Sequence, residues 1–117
     1  MPKVTVYQKP TCSTCQHTVQ MLKDAGVDLT TVNYYETPFM ADQLKALLRQ
    51  AGLSPREVLR TKEDLYQELG LADQTLGDDE LIAAMVAHPD LIQRPLVKKG
   101  DQVLLARPAE RVQTLLS

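Results

Sequence analysis

Sulfur and imidazole are scarce in this chain: its 117 residues include two cysteines and two histidines. A structural zinc site draws on about four such ligands. Here they would have to be Cys12, Cys15, His17 and the distant His88, so no metal site is expected. No apolar run approaches the roughly 20 residues needed to cross a bilayer. The start, Met1-Pro2-Lys3, leads into a strand-like run rather than a signal peptide. No membrane partner is expected, and the location is expected to be cytoplasmic. Neither sign of charge dominates, with 13 Lys and Arg against 15 Asp and Glu and a net charge of −2. The totals therefore carry no electrostatic footprint for nucleic acid and no reason for obligate assembly, so a monomer is the default. Repeats and low-complexity tracts are also missing. At 44% hydrophobic residues the chain still has apolar material for a core, and residues 1–117 read as one domain.

What the chain does have is Cys12-Ser13-Thr14-Cys15, placed after the strand-like Lys3-Val4-Thr5-Val6-Tyr7 and before an amphipathic stretch. Two cysteines three apart at a strand-to-helix junction read as a thioredoxin-like redox site. The first sulfur would face unpaired backbone N–H groups and the positive end of the helix dipole, which favour thiolate, the nucleophilic form. The second lies one turn on and can attack a sulfur adduct on the first. In a reducing compartment a lone cysteine pair points to catalysis or redox sensing rather than to a structural disulfide.

Strand-like runs at 3–7 and 29–35 flank a helical segment of about 13–25, in which Cys15, Val19, Leu22 and Ala25 recur at helical spacing and Gly26 is placed to end it. This is a βαβ unit with parallel neighbouring strands. Tyr34 and Tyr35 fit its second strand. From about 40 to 90 the pattern is helical: Leu44, Leu47, Leu48 and Ala51 share a face before Gly52, and Ser54-Pro55-Arg56-Glu57 supplies an N-cap, a first-position proline and an acid. Shorter segments follow at 63–69 and at 78–87, the latter closed by His88 before Pro89. Leu96-Val97-Lys98 and Gln102 to Ala106, joined through Lys99-Gly100-Asp101, read as a hairpin, and Pro108 onward closes as a helix with Val112, Leu115 and Leu116 on one face. The expected fold is α/β, a thioredoxin-like βαβ–ββα mixed sheet with an all-helical insertion at about 40–90.

Three arginines stand where this layout can use them. Arg60 ends an insertion helix, Arg94 precedes Pro95 before the hairpin, and Arg107 precedes Pro108 after it. Residues before proline are held extended. Guanidinium groups offer fixed forks of N–H donors to tetrahedral oxyanions. Around a thiolate they would form an oxyanion pocket and lower the thiol pKa; taken singly, each reads more readily as a solvated surface charge or a helix C-terminal partner.

Tyr7-Gln8-Lys9-Pro10-Thr11-Cys12-Ser13, Val58-Leu59-Arg60, the stretch His88-Pro89-Asp90-Leu91-Ile92-Gln93-Arg94-Pro95-Leu96-Val97, and Ala106-Arg107-Pro108 together resemble the glutaredoxin-coupled arsenate reductase family over nearly the whole chain. The resemblance implies a thioredoxin-like fold and attack on arsenate by Cys12. It implies oxyanion binding by Arg60, Arg94 and Arg107, and it favours a cis bond before Pro95. It implies no bound cofactor, with glutathione and glutaredoxin as reductant. Ser13 and Thr14 read from their own place as cap and first-turn residues that could also donate to a bound anion. Two positions depart from the family pattern. Gln8 stands where histidine is usual, and Lys9 where asparagine is usual, so Lys9 is the candidate to replace the lost imidazolium near the thiolate. Cys15 stands where the glutathione-dependent members commonly carry serine.

The expected function is arsenate reduction to arsenite through a Cys12 thiol–arsenate adduct, serving arsenic detoxification. Cys15 or glutathione would be the second thiol, with thioredoxin or glutaredoxin recycling the protein. Two alternatives stay open. Cys15 also resembles the Spx-type redox regulators of the same fold, in which a Cys12–Cys15 disulfide would act as a switch on a transcription partner. A general thiol–disulfide oxidoreductase is the other.

Overall fold

In Lys3–Gln8 (β1), Val4 and Val6 alternate with more exposed neighbours, and these two side chains seed the sheet's core. The computed structural model describes residues 3–116; Met1 and Pro2, the start of the expected lead into β1, lie outside them. Contacts divide the chain into two compact units: 1–37 with 94–117, and 38–93.

The first unit carries a four-stranded mixed sheet in the order β2-β1-β3-β4, where β2 is Asp28–Asn33, β3 is Leu96–Lys99 and β4 is Gln102–Leu105. β1 runs parallel to β2, with Val4 opposite Leu29, and antiparallel to β3, with Val6 opposite Val97. The crossover between β1 and β2 is α1, Ser13–Asp24, which buries Cys15, Thr18 and Leu22. Val19 is only partly covered, and Ala25 caps the helix in an exposed position instead of joining its apolar face. The hairpin β3–β4 turns through Gly100-Asp101, and Gly100 takes a φ of 59°, the left-handed conformation that glycine adopts without a steric penalty. A 3₁₀ turn at Ala109–Val112 and a short helix, Gln113–Leu116, close the unit, so the expected C-terminal helix begins tighter than α-helical. Val4, Val6, Leu22, Val97, Ala106, Val112 and Leu115 form its core.

One expectation fails here. Tyr34 and Tyr35 are not in the strand, which stops at Asn33. The Asn33 Oδ1 accepts the Tyr35 N–H at 3.0 Å, and the Asn33 carbonyl accepts from Glu36 and Thr37, turning the chain away from the sheet. Asparagine competes with ladder bonds in this way, whatever the β-propensity of the residues after it. Tyr34 is nonetheless buried.

The second unit is built from Ala41–Ala51 (α2), Pro55–Val58 (α3), Asp64–Glu68 (α4) and Asp78–Ala87 (α5), with a 3₁₀ turn at Pro89–Leu91. Ser54 caps α3 through its hydroxyl while Glu57 reaches back to the Ser54 N–H. Arg60 does not end a helix. α3 stops at Val58, Leu59 bridges Ile92, and the Arg60 N–H donates to the Leu91 carbonyl at 2.8 Å. The backbone at 58–60 is drawn into extended pairing by residues far along the chain, and local pattern carries no sign of that. Among the described residues no helix is long and apolar enough to cross a membrane.

Candidate active site

The turn between β1 and α1 places Cys12 at the N-cap of α1, in extended backbone conformation. Its N–H donates to the Lys9 carbonyl and its carbonyl accepts from Gln16, each at 2.9 Å, while the Gln16 side chain ties back to the Pro10 carbonyl. The loop carrying the sulfur is thus closed on both sides. Ser13 and Thr14 form the first turn of α1, where N–H groups lack intrahelical acceptors. The Cys12 thiol makes no capping hydrogen bond, but the Thr14 and Cys15 N–H groups are placed to favour its thiolate.

Both cysteines are reduced, and their environments separate them. Partial burial pushes the Cys12 thiol up, but the Cys15 N–H and thiol, the Arg94 guanidinium and the Thr14 N–H outweigh it and bring Cys12 down to about 7. Cys15 is fully buried; that burial, with the neighbouring Cys12 sulfur, pushes it up to about 12 against the opposing pull of the Lys9 backbone and Arg94. Near neutral pH one sulfur is substantially anionic and the other remains a thiol. This is the division between a nucleophile and a held-back second thiol.

Arg94 is 6% exposed. Burial opposes its charge, but Tyr34, Tyr35 and the Cys12 sulfur more than compensate, and it stays a guanidinium. Its Nη1 donates to the Tyr35 hydroxyl at 3.3 Å, and among the described residues its buried Nε has no hydrogen-bond partner. The guanidinium also reaches the Cys12 sulfur and favours its thiolate. Arg107 Nη1 donates to the Arg94 carbonyl at 3.0 Å, so Arg107 braces the backbone of Arg94. The bonds Arg94–Pro95 and Arg107–Pro108 are both cis. Cys12, Cys15, Arg94 and Arg107 therefore come together within the first unit. Arg60 belongs to the second, where its Nε pairs with Glu63 Oε1 at 3.2 Å.

Gln8 ends β1 and lines a cavity of about 460 Å³ with Pro10, Thr31, Asn33 and Glu36. Lys9 holds its Nζ 5.2 Å above the Tyr35 ring. Lys9, Pro10, Thr11 and Tyr35 line a second hollow of about 380 Å³ beside the Cys12 loop. His17 is exposed on α1, and among the described residues no cluster of His, Cys, Asp and Glu is placed to hold a metal ion. Tyr35 is the residue that sequence reasoning missed. Its one local signal is its place two residues after a strand-ending asparagine.

A mixed four-stranded sheet built from a βαβ unit followed by a hairpin, with a cysteine of lowered pKa at the start of the first helix, defines a thioredoxin-like fold. Residues 7–115 match the ArsC family, and the chain belongs to it. The chain is 40% identical over 116 residues to the arsenate reductase of Yersinia enterocolitica, covering 99% of this chain and 82% of that protein. It is 44% identical over 111 residues to the uncharacterized protein YfgD of Escherichia coli, covering 94% and 93% respectively. Among solved structures, an arsenate reductase from Vibrio cholerae superposes with a TM-score of 0.93 at 40% identity, covering 97% of each chain.

Proposed function

We propose that this protein reduces arsenate to arsenite, with Cys12 as the nucleophile. The observation that carries the reading is a thiol near pKa 7 at the start of α1 beside the buried Arg94 guanidinium. Cys12 thiolate attacks arsenic, an As–S bond forms, and one oxygen leaves as water after taking up protons. A second thiol then attacks the Cys12 sulfur: an S–S bond forms, the As–S electron pair stays on arsenic, and As(V) leaves as As(III) while two thiols become one disulfide. Arg94 binds the oxyanion and offsets its charge, Arg107 holds Arg94 in place, and the first-turn N–H groups at Ser13 and Thr14 donate to the remaining oxygens.

Cys15 is the second thiol on this reading. A neighbouring thiol has a far higher effective concentration than a free one. Adduct formation removes one part of what holds the Cys15 proton: the Cys12 anion is consumed while the pull of Arg94 remains, and burial still opposes the thiolate. Glutathione is the alternative second thiol, and thioredoxin or glutaredoxin returns the protein to its reduced form. The electrons come from thiols, so the reaction calls for no resident cofactor; a cytoplasmic monomer suits its reductants.

The test is arsenate-dependent NADPH oxidation, run in parallel with thioredoxin and thioredoxin reductase and with glutathione, glutaredoxin and glutathione reductase. Cys12→Ser abolishes turnover in both. Cys15→Ser abolishes it with thioredoxin; full retention with glutathione alone would remove Cys15 from the mechanism. Arg60→Ala raises KM for arsenate if the third guanidinium binds anion and leaves it unchanged if Glu63 is its whole role. The separation of the two thiols also favours a second reading, a general thiol–disulfide oxidoreductase. That reading requires turnover on a protein disulfide with no arsenate present.

A further inference from the structure

We propose that Tyr35 is a positioning residue that holds two cations, Arg94 and Lys9, at the Cys12 loop through separate parts of one side chain. The inference rests on Cys12 being the nucleophile and not on arsenate being its substrate.

Three independent contacts define Tyr35. Its hydroxyl accepts from Arg94 Nη1 at 3.3 Å. Its ring lies under the Lys9 ammonium, 5.2 Å from centroid to Nζ, within the range of a cation–π interaction. Its ring also stacks on that of Tyr34, with centroids 5.1 Å apart and planes at 29°, and Tyr34 is itself fully buried. At the backbone, Asn33 Oδ1 fixes the Tyr35 N–H. A residue held this firmly can orient long side chains: arginine and lysine each carry several rotatable bonds whose freedom is lost when they are ordered.

Each cation has a place in the chemistry that depends on this orientation. Arg94 lowers the Cys12 pKa, so a guanidinium displaced from the sulfur would weaken that effect. Lys9 directly follows Gln8, an uncharged residue that supplies no cation of its own. With its ammonium over the ring, Lys9 lines the hollow beside Cys12 and adds positive charge where an oxyanion approaches. Tyr35 is thus the shared support of two charges whose sequence positions are far apart.

The two handles can be cut separately. Tyr35→Phe keeps the ring and removes the oxygen; Lys9→Met keeps an apolar chain and removes the charge; Tyr35→Leu removes both handles. The readouts are the pH profile of Cys12 alkylation by iodoacetamide and the inorganic phosphate concentration that halves the alkylation rate, phosphate being a tetrahedral oxyanion that thiols do not reduce. Neither needs a recycling partner or turnover. Tyr35→Phe shifts the alkylation midpoint upward, lowering the rate at pH 6 by about three-fold, the effect of half a pKa unit. Lys9→Met raises the half-protecting phosphate concentration by about three-fold, and Tyr35→Leu shows both changes. A general loosening of the fold would lower the melting temperature without this division between the two readouts. Wild-type midpoints in both Tyr35 variants, or wild-type phosphate protection in both Lys9→Met and Tyr35→Leu, would overturn the proposal. Arsenate turnover failing in the wild-type protein while these shifts persist would overturn the substrate and leave the role of Tyr35 intact.

Discussion

Cys12 and Cys15 have the same side chain and sit three positions apart, yet one is brought down to about 7 and the other pushed up to about 12. The difference comes from where the helix puts them. Cys12 is half-exposed at the donor end of α1 beside Arg94, whereas Cys15 is fully buried with an anionic neighbour. The sign of the pH dependence follows: Cys12 loses its proton as pH rises through about 7, so its alkylation rate climbs between pH 6 and 8 and then levels, while Cys15 stays unmodified in the folded protein up to pH 9. Mass mapping of the alkylated chain across that range checks both statements. Arg94→Ala removes a preorganised donor and its charge, and we expect kcat/KM for arsenate to fall by about 10², with the Cys12 midpoint moving upward. The cysteines and Arg94 were legible in the sequence because their signals are local: a spacing of three, a strand–helix junction, a following proline. Tyr35 was not, because its partner Arg94 lies 59 positions away.

Elements began and ended largely where short-range chemistry placed them. Gly52 ends α2 with a φ of 71°, and the Ser54–Glu57 pair starts α3. Ser54→Ala should cost about 1 kcal/mol in urea unfolding, the usual worth of an N-cap. Where the boundaries differed from expectation, a single bond from outside the local pattern made the difference. Asn33 stopped β2 and released the two tyrosines into a turn, and the Leu59–Ile92 bridge took Arg60 out of its helix. Asn33→Ala removes the acceptor for the Tyr35 N–H and should destabilise the protein by about 1 kcal/mol. If Tyr35 orients Arg94, the same change also moves the Cys12 alkylation midpoint upward.

At the scale of the whole molecule, the order of strands and helices was readable because periodicity and the crossover rule together leave few arrangements for a βαβ unit and a later hairpin. What periodicity could not supply was the exact membership of the apolar faces: Thr18 is buried on α1 and Ala25 is not. Leu22 is fully buried in the sheet unit's core with Val4, Val6, Val112 and Leu115. Leu22→Ala should lower stability by about 3 kcal/mol through lost burial and a residual cavity. Its effect on arsenate chemistry in the protein that remains folded should be small. The central claim is that Cys12 carries electrons to arsenic, and the most direct test omits any coupled enzyme: reduced protein is mixed with arsenate and excess glutathione, and arsenite is measured by its mass signature within the first turnover. The account predicts about one equivalent of arsenite per wild-type chain and none from Cys12→Ser. No arsenite from the wild type, or equal amounts from both, would contradict it.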